Sequence, residues 1–203
     1  MKKLILLIFL TFSNLLFSQE EDTNPEDYQK KLFTEGHAAM KNRDLTVAYN
    51  LFSQSQILGS NEEIKNKSFQ KTDSLKLVFR AKLKQKLVGN WKMLNVESWA
   101  LREPSDSVVG KMITIDPNQI LFYELYPKSK KWNLIKSEKL IFSEKLTMDF
   151  DPLLIVYFNK EVWSYNVDET SGELIAYYIG KENETEISEM VCGNTKIKYF
   201  KLQ

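Results

Sequence analysis

The spacing of the apolar residues changes near Leu87, and this change limits the possible folds more than any other feature of the chain. Before it, apolar residues recur every three to four positions, which is typical of amphipathic helices. The apolar stripe predicted for the last of these helices consists of Leu75, Val78, Phe79 and Leu83. After it, apolar and polar residues alternate in short runs separated by turn-forming segments such as 116–118. These separators are too short to hold crossover helices, which argues against a parallel sheet. The sequence therefore predicts an α+β chain in which helices precede an antiparallel β-sheet.

The candidate strands follow one another at intervals of about 8–12 residues, which is typical of an antiparallel sandwich or barrel. They are predicted at residues 89–99, 108–115, 119–126, 132–142, 145–150, 153–159, 161–167, 173–179, 186–192 and 195–202. A barrel of about eight strands is only just wide enough for packed side chains or for one small ligand.

The helical segment before the change contains signals that divide it into three helices. Asn24 can cap a first helix, and the Pro25 that follows suits its first position. Asp44 can cap a second helix, which Gly59 would end. Residues 60–63 form a predicted capping box for a third helix. We therefore expect a helical segment that extends to residue 86.

The first two predicted helices combine small residues with larger apolar ones at a regular spacing. The small residues would let two antiparallel helices approach closely, and the larger ones would fill the space between them. The positions are Leu32, Gly36, Ala39, Leu45, Ala48 and Phe52. Over residues 29–62 this pattern resembles one tetratricopeptide repeat. Since a single repeat is not stable alone, the resemblance implies a hairpin that is capped by the third helix.

Residues 1–19 have the organisation of a secretory signal peptide. Lys2 and Lys3 precede an apolar run over residues 4–10, and a small residue, Ser18, follows near the end of the segment. Ser13 interrupts the apolar run too early for a transmembrane anchor, which needs about 20 apolar residues. We therefore expect cleavage near residue 19 and export of a soluble protein to the periplasm or the medium.

The composition excludes several classes of function. Loss of the signal peptide would change the formal net charge from +1 to −1, and this near-neutral balance argues against nucleic acid as the main partner. No later stretch is long and apolar enough to be a candidate membrane span. The single cysteine, Cys192, rules out an intrachain disulfide. The expected mature chain is a helical segment (20–86) followed by a β domain (87–203).

The β domain opens with Gly89-Asn90-Trp91, a G-x-W motif placed directly after a helix. Together with the hairpin of residues 112–122 and the final strand of residues 195–201, it resembles a bacterial lipocalin-like domain. The resemblance implies an antiparallel barrel whose tryptophan closes the floor against a basic residue from the last strand. Because that strand contains no arginine, Lys196 or Lys198 would have to supply the charge, and we assign the floor to Gly89, Trp91 and Lys198.

No constellation of catalytic or metal-binding residues is recognisable in the sequence. His37 is the only histidine, so a site with two histidines cannot form within the chain. The carboxylates of the predicted strands have apolar neighbours that alternation would turn inward, so the acids are expected to face solvent. They are Glu97, Glu124, Glu138, Glu161 and Glu173. We therefore predict a protein that is not an enzyme and has no cofactor.

Two binding functions remain open. Aromatic residues of the strands could line an apolar cup for a small ligand or simply form the core, and the pocket candidates are Phe122, Trp132, Trp163, Tyr165 and Tyr178. Alternatively, the helical residues 25–86 could contact another protein of the cell envelope. Residues 65–86 carry eight basic residues and only one acid, Asp73, and could present a basic face to an anionic partner or simply be solvated.

Overall fold

The computed structural model describes residues 24–97, 110–128, 130–145, 147 and 150–203. The predicted signal peptide, residues 1–19, lies outside these residues. The chain divides into two compact units, of which the first ends at Lys71 and the second spans Thr72–Gln203. Three helices precede an antiparallel sheet in the described part of the chain, which confirms the predicted α+β class.

The helices are α1 (Pro25–Lys41), α2 (Leu45–Ile57) and α3 (Glu62–Leu87), and α3 supplies residues to both units. Asn24 accepts a hydrogen bond from the backbone nitrogen of Glu26 at 3.1 Å, and Asp44 accepts one from Val47 at 3.1 Å. These two predicted caps are confirmed. The predicted capping box of residues 60–63 is wrong, because Asn61 caps α3 by accepting hydrogen bonds from the backbone nitrogens of two residues, 63 and 64.

The first unit is held together by a close helix contact and by a buried amide. A Cβ atom on Gly36 would lie only 2.7 Å from the ring of Phe52, so only glycine allows α1 to pack this closely against α2. Gln29 is fully buried, and its amide nitrogen donates to the carbonyls of Ser55 at 3.0 Å and Asn61 at 3.2 Å. Its amide oxygen accepts from the Asn61 nitrogen at 2.9 Å. Gln29 therefore joins α1 to the end of α2 and the start of α3.

The second unit contains a nine-stranded antiparallel sheet, counted over the described residues. The strands are β1 (Gly89–Glu97), β2 (Gly110–Ile115), β3 (Gln119–Leu125), β4 (Trp132–Lys139), β5 (Ile155–Val156), β6 (Glu161–Val167), β7 (Leu174–Glu182), β8 (Ile187–Glu189) and β9 (Lys196–Lys201). Their order is β4-β3-β2-β1-β9-β7-β6-β5, and β8 pairs with β7. A β-bulge interrupts the pairing of β3 with β4 between Phe122 and Tyr123, and Ile135 is the extra residue on β4.

The two ends of this strand order, β4 and β5, do not pair with each other as strands in the described residues. An isolated bridge joins Phe142, which follows β4, to Ile155 of β5. None of the described residues of the strand predicted at 145–150 belongs to a strand, and Phe150 adopts a φ of 54°, outside the β region. The fold is thus an open antiparallel sheet by its strand pairing, and closure into a barrel stays a prediction.

The core of the second unit lies between the end of α3 and one face of the sheet. Leu83 and Leu87 of α3 belong to the same buried cluster as the inward residues of β1, β2, β3, β7 and β9. The cluster includes Trp91, Ile113, Ile115, Ile120, Leu174, Ala176 and Tyr199. Of the apolar stripe predicted for α3, Leu75 and Leu83 are buried, whereas Val78 is exposed.

Candidate ligand-binding site

The G-x-W motif lies at the junction of α3 and β1. The indole nitrogen of buried Trp91 donates to the carbonyl of Leu87 at 2.7 Å. The ammonium group of Lys201 lies 5.2 Å from the centroid of the Trp91 ring. Gly89 has a φ of 145°, and a Cβ atom there would lie 2.8 Å from Cε of Lys201. The structure therefore brings Gly89 and Trp91 together with Lys201, whereas Lys198 lies 3.3 Å from the Glu97 carboxylate.

Three of the five predicted pocket residues belong to one row of aromatic rings around Tyr157. The ring of Phe122 meets Tyr157 edge to face at 6.0 Å, and Trp163 stacks on Tyr157 at 5.9 Å. Tyr178 contacts Trp163 at 5.3 Å. Phe122 and Trp163 also pack against the buried core cluster, so this row of rings lies at the edge of the core.

The other two predicted pocket residues have separate environments. Tyr165 is buried in the core, and its hydroxyl forms a hydrogen bond with the hydroxyl of Tyr157. Burial raises the pKa of both tyrosines well above its ordinary value, so the two hydroxyls stay neutral. Trp132, at the start of β4, lies beside Gly110, where an added Cβ would be 3.2 Å from the indole ring.

A cleft of about 870 Å³ opens between the end of β4 and the β5–β6 turn. Its lining combines apolar and charged side chains, and none of the five predicted aromatic residues is among them. The described lining residues are Gln119, Ser137, Glu138, Lys139, Ile141, Phe142, Ser143, Glu144, Val156, Tyr157, Phe158, Lys160 and Glu182. Sequence reasoning missed this cleft, because most of it is built by the turn and the loop that follow strands rather than by alternating strand residues.

Glu138 is the most deeply buried charged group of the cleft, and the prediction that it faces solvent is wrong. Its side chain is only 4% exposed. The β3–β4 register places it opposite buried Ile120, and directly opposed residues of an antiparallel pair lie on the same face of the sheet. One carboxylate oxygen lies 2.8 Å from the Lys136 ammonium, and the other accepts a hydrogen bond from the Phe158 nitrogen at 2.8 Å.

A second carboxylate that lines the cleft is that of Glu182, on β7. Its side chain is 12% exposed, and it accepts a hydrogen bond from the Ser143 hydroxyl at 2.7 Å. The Lys160 ammonium lies 3.7 Å away, on a turn residue with a positive φ of 68°. Phe158, in the same turn, is 95% exposed. The β5–β6 turn therefore exposes the aromatic ring of Phe158 at the rim of the cleft. The backbone nitrogen of Phe158 is held by its hydrogen bond to buried Glu138.

Helix α3 fixes the loop that forms one wall of the cleft. Arg80 donates to the carbonyls of Pro152 at 2.9 Å and Ser143 at 2.8 Å, and it pairs with Glu144. Lys76 also pairs with Glu144, at 3.0 Å. Partial burial opposes ionisation of Glu144, but the hydrogen bonds and charges of Arg80 and Lys76 outweigh it and lower the pKa of this carboxyl.

Comparison with known proteins does not assign this site. No protein-family model matches the chain, and no curated protein matches it. The function therefore has to be argued from the geometry of the chain itself.

The basic residues of segment 65–86 are mostly engaged within the chain. Five of the eight form ion pairs with described acids: Lys65, Lys67, Lys76, Arg80 and Lys86. The ammonium of a sixth, Lys84, lies 5.8 Å from the Phe142 ring. This segment therefore offers less free positive charge to a partner than its sequence suggests.

Two further findings concern the described residues. No group of three or more histidine, cysteine or acidic residues within them could hold a metal ion. No helix among them has the length and apolar character needed to cross a bilayer.

Proposed function

We propose that this chain is an exported, non-catalytic, lipocalin-like binding protein that holds a small apolar ligand in the cleft at the β5–β6 turn. The observation that carries the proposal is the cleft of about 870 Å³, which has the size of a small-molecule site. Its apolar surface comes from Ile141, Phe142, Val156 and Tyr157, with the exposed Phe158 ring at the rim. Burial of this surface by a ligand would supply the binding free energy.

A lipocalin-like barrel is supported by contacts that join the segment after β4, at one end of the strand order, to β5 at the other end. Beside the bridge from Phe142 to Ile155, the Val156 nitrogen donates to the carbonyl of Ile141 at 2.9 Å. The Ser143 nitrogen donates to the carbonyl of Leu154 at 2.8 Å. These hydrogen bonds join the segment after β4 to β5. The tryptophan and lysine pair at the start of β1 matches the floor that the family resemblance implies, with Lys201 as the basic partner.

A binding role is favoured over catalysis by the state of the two buried carboxylates. Glu138 is paired with Lys136 and with a backbone amide. Glu182 is bonded to Ser143 and lies near Lys160. A general acid or base must be able to reach the proton that it transfers, whereas both carboxylates are already engaged by groups of the protein.

The ligand is tested by native mass spectrometry of the mature protein with a panel of fatty acids and neutral apolar compounds. Phe158→Ala should weaken complex formation, because it removes the exposed ring at the rim. Val191→Ala is the matched control, since Val191 is 98% exposed and does not line the cleft. Absence of any complex with the wild-type protein, or equal weakening by both variants, would contradict the proposal. N-terminal sequencing of the exported protein should find a start near residue 20.

The helical unit supports a second candidate function, contact with another protein of the cell envelope. Three apolar residues at or near α2 are partly exposed: Val47, Ile57 and Leu58. Ile57→Lys in the full-length chain should reduce recovery of such a partner from envelope extracts, whereas Phe158→Ala should not. Unchanged recovery with Ile57→Lys would argue against this surface.

A further inference from the structure

The ammonium group of Lys136 lies beside one carboxylate and two aromatic rings at the edge of the cleft. It lies 2.8 Å from a carboxylate oxygen of Glu138, 4.8 Å from the centroid of the Tyr157 ring and 5.6 Å from the centroid of the Phe122 ring. Glu138 and Tyr157 both line the cleft. One buried carboxylate and two aromatic rings thus lie close to a single positive charge.

This arrangement has the chemistry of a site for an organic cation. Aromatic rings attract an ammonium group through their quadrupole, and the attraction grows when the site is partly shielded from water. The carboxylate is fixed, because its second oxygen accepts a hydrogen bond from the Phe158 nitrogen. The rings are also fixed, since Phe122 packs edge to face against Tyr157. The carboxylate and the two rings are therefore held in place before any ligand binds.

Lys136 itself is held less firmly than the groups around it. Its side chain is 42% exposed, whereas that of Glu138 is 4% exposed. Lys136 follows directly after Ile135, the extra residue of the bulge on β4. Its ammonium can therefore reach water, and the buried carboxylate of Glu138 would then require another cation, because an unpaired buried charge is costly.

We propose that Glu138, Tyr157 and Phe122 form a cation site, and that a small amine with an apolar body binds there by displacing the Lys136 ammonium. This inference rests on the proposed function, because it names the class of ligand that the cleft takes. The ligand ammonium replaces that of Lys136 beside Glu138. Its apolar body covers the wall formed by Val156 and the rim at Phe158. Lys136 acts as an internal competitor for the site.

The test is isothermal titration calorimetry with two probes of similar shape, phenethylammonium and neutral 2-phenylethanol. Lys136→Met should raise the affinity for phenethylammonium about tenfold, the gain expected when a competing cation is removed from a partly desolvated site. The affinity for 2-phenylethanol should change little. Adding Glu138→Gln to Lys136→Met should abolish the preference for the charged probe.

Lys111→Met is the matched control, because Lys111 is 44% exposed and pairs with Glu124 at 3.2 Å on the same sheet. This variant should leave both affinities unchanged. Thermal unfolding establishes that each variant is folded, and Lys136→Gln replaces Lys136→Met if the latter does not fold.

Equal gains for both probes with Lys136→Met would overturn the inference, since they would indicate only a larger apolar space. No gain for the charged probe would overturn it as well. If 2-phenylethanol binds without any preference for the ammonium, the cation site is refuted and the proposed apolar binding function stands. If neither probe binds and the apolar panel also gives no complex, the proposed function itself is refuted.

Discussion

The paired hydroxyls of Tyr157 and Tyr165 allow a quantitative test of how the core is stabilised. Both side chains are almost fully buried, and each hydroxyl is the hydrogen-bond partner of the other. Tyr157→Phe leaves the hydroxyl of Tyr165 buried without this partner, and Tyr165→Phe does the same to Tyr157. An unsatisfied buried polar group costs about 1–3 kcal/mol, and each single variant should lose about this much free energy of unfolding.

The double variant should lose less than the sum of the two single losses. Removing both partners leaves no unsatisfied hydroxyl, which is close to neutral for stability. Since the double variant should be close to neutral, the coupling energy between Tyr157 and Tyr165 should approach the sum of the two single losses, about 2–6 kcal/mol.

Urea unfolding monitored by circular dichroism measures these free energies, provided that the slope with denaturant stays constant. Tyr28→Phe, at an exposed position of α1, is the control and should change little. Strictly additive losses from Tyr157→Phe and Tyr165→Phe would refute the reasoning, because they would indicate that each hydroxyl has an independent partner.

Three further predictions address other parts of the chain. Burial raises the pKa of Tyr157 and Tyr165 in the folded state, whereas tyrosine in the unfolded chain ionises at about pH 10. The stability that these two residues contribute is therefore complete below about pH 10 and is lost as the pH rises further. Urea midpoints at alkaline pH should therefore fall less steeply for the double phenylalanine variant than for the wild type. Gln29→Met should lower the free energy of unfolding by about 1–3 kcal/mol, because it leaves buried backbone groups unpaired. The loss should appear as a lower melting temperature, and an unchanged melting temperature would contradict the role of this amide. In urea unfolding, Lys201→Met should lower the free energy of unfolding by about 0.5–1 kcal/mol more than Lys198→Met does. The reason is that Lys201, and not Lys198, lies over the ring of Trp91. Equal effects of the two variants would argue against that contact.

Local signals predicted much of the fold, because the relevant interactions are short in sequence. Asn24 and Asp44 cap helices through hydrogen bonds to residues two or three positions ahead, which the sequence displays directly. The change of period near Leu87 coincides with the end of α3 and the start of β1 at Gly89.

The candidate site was harder to predict, because strand register decides which side chains are buried. On β4, the apolar residues Leu134 and Ile135 are exposed, whereas Glu138 is buried. The burial of Glu138 follows from its position opposite Ile120, a long-range pairing that apolar neighbours along the chain do not reveal. In the same way, Lys201 rather than Lys198 lies over Trp91, since the register of β9 against β1 pairs Trp91 with Lys201.

The bulge on β4 also has a consequence for solubility at high concentration. Adjacent exposed Leu134 and Ile135 on a terminal strand would ordinarily invite another chain to extend the sheet. The extra residue, Ile135, bends the strand and disrupts the regular spacing of its backbone donors and acceptors. The bulge would therefore interrupt regular pairing with a second copy partway along the strand. Deletion of Ile135 would remove the bulge and restore a regular row of backbone donors and acceptors, and it should promote fibril formation.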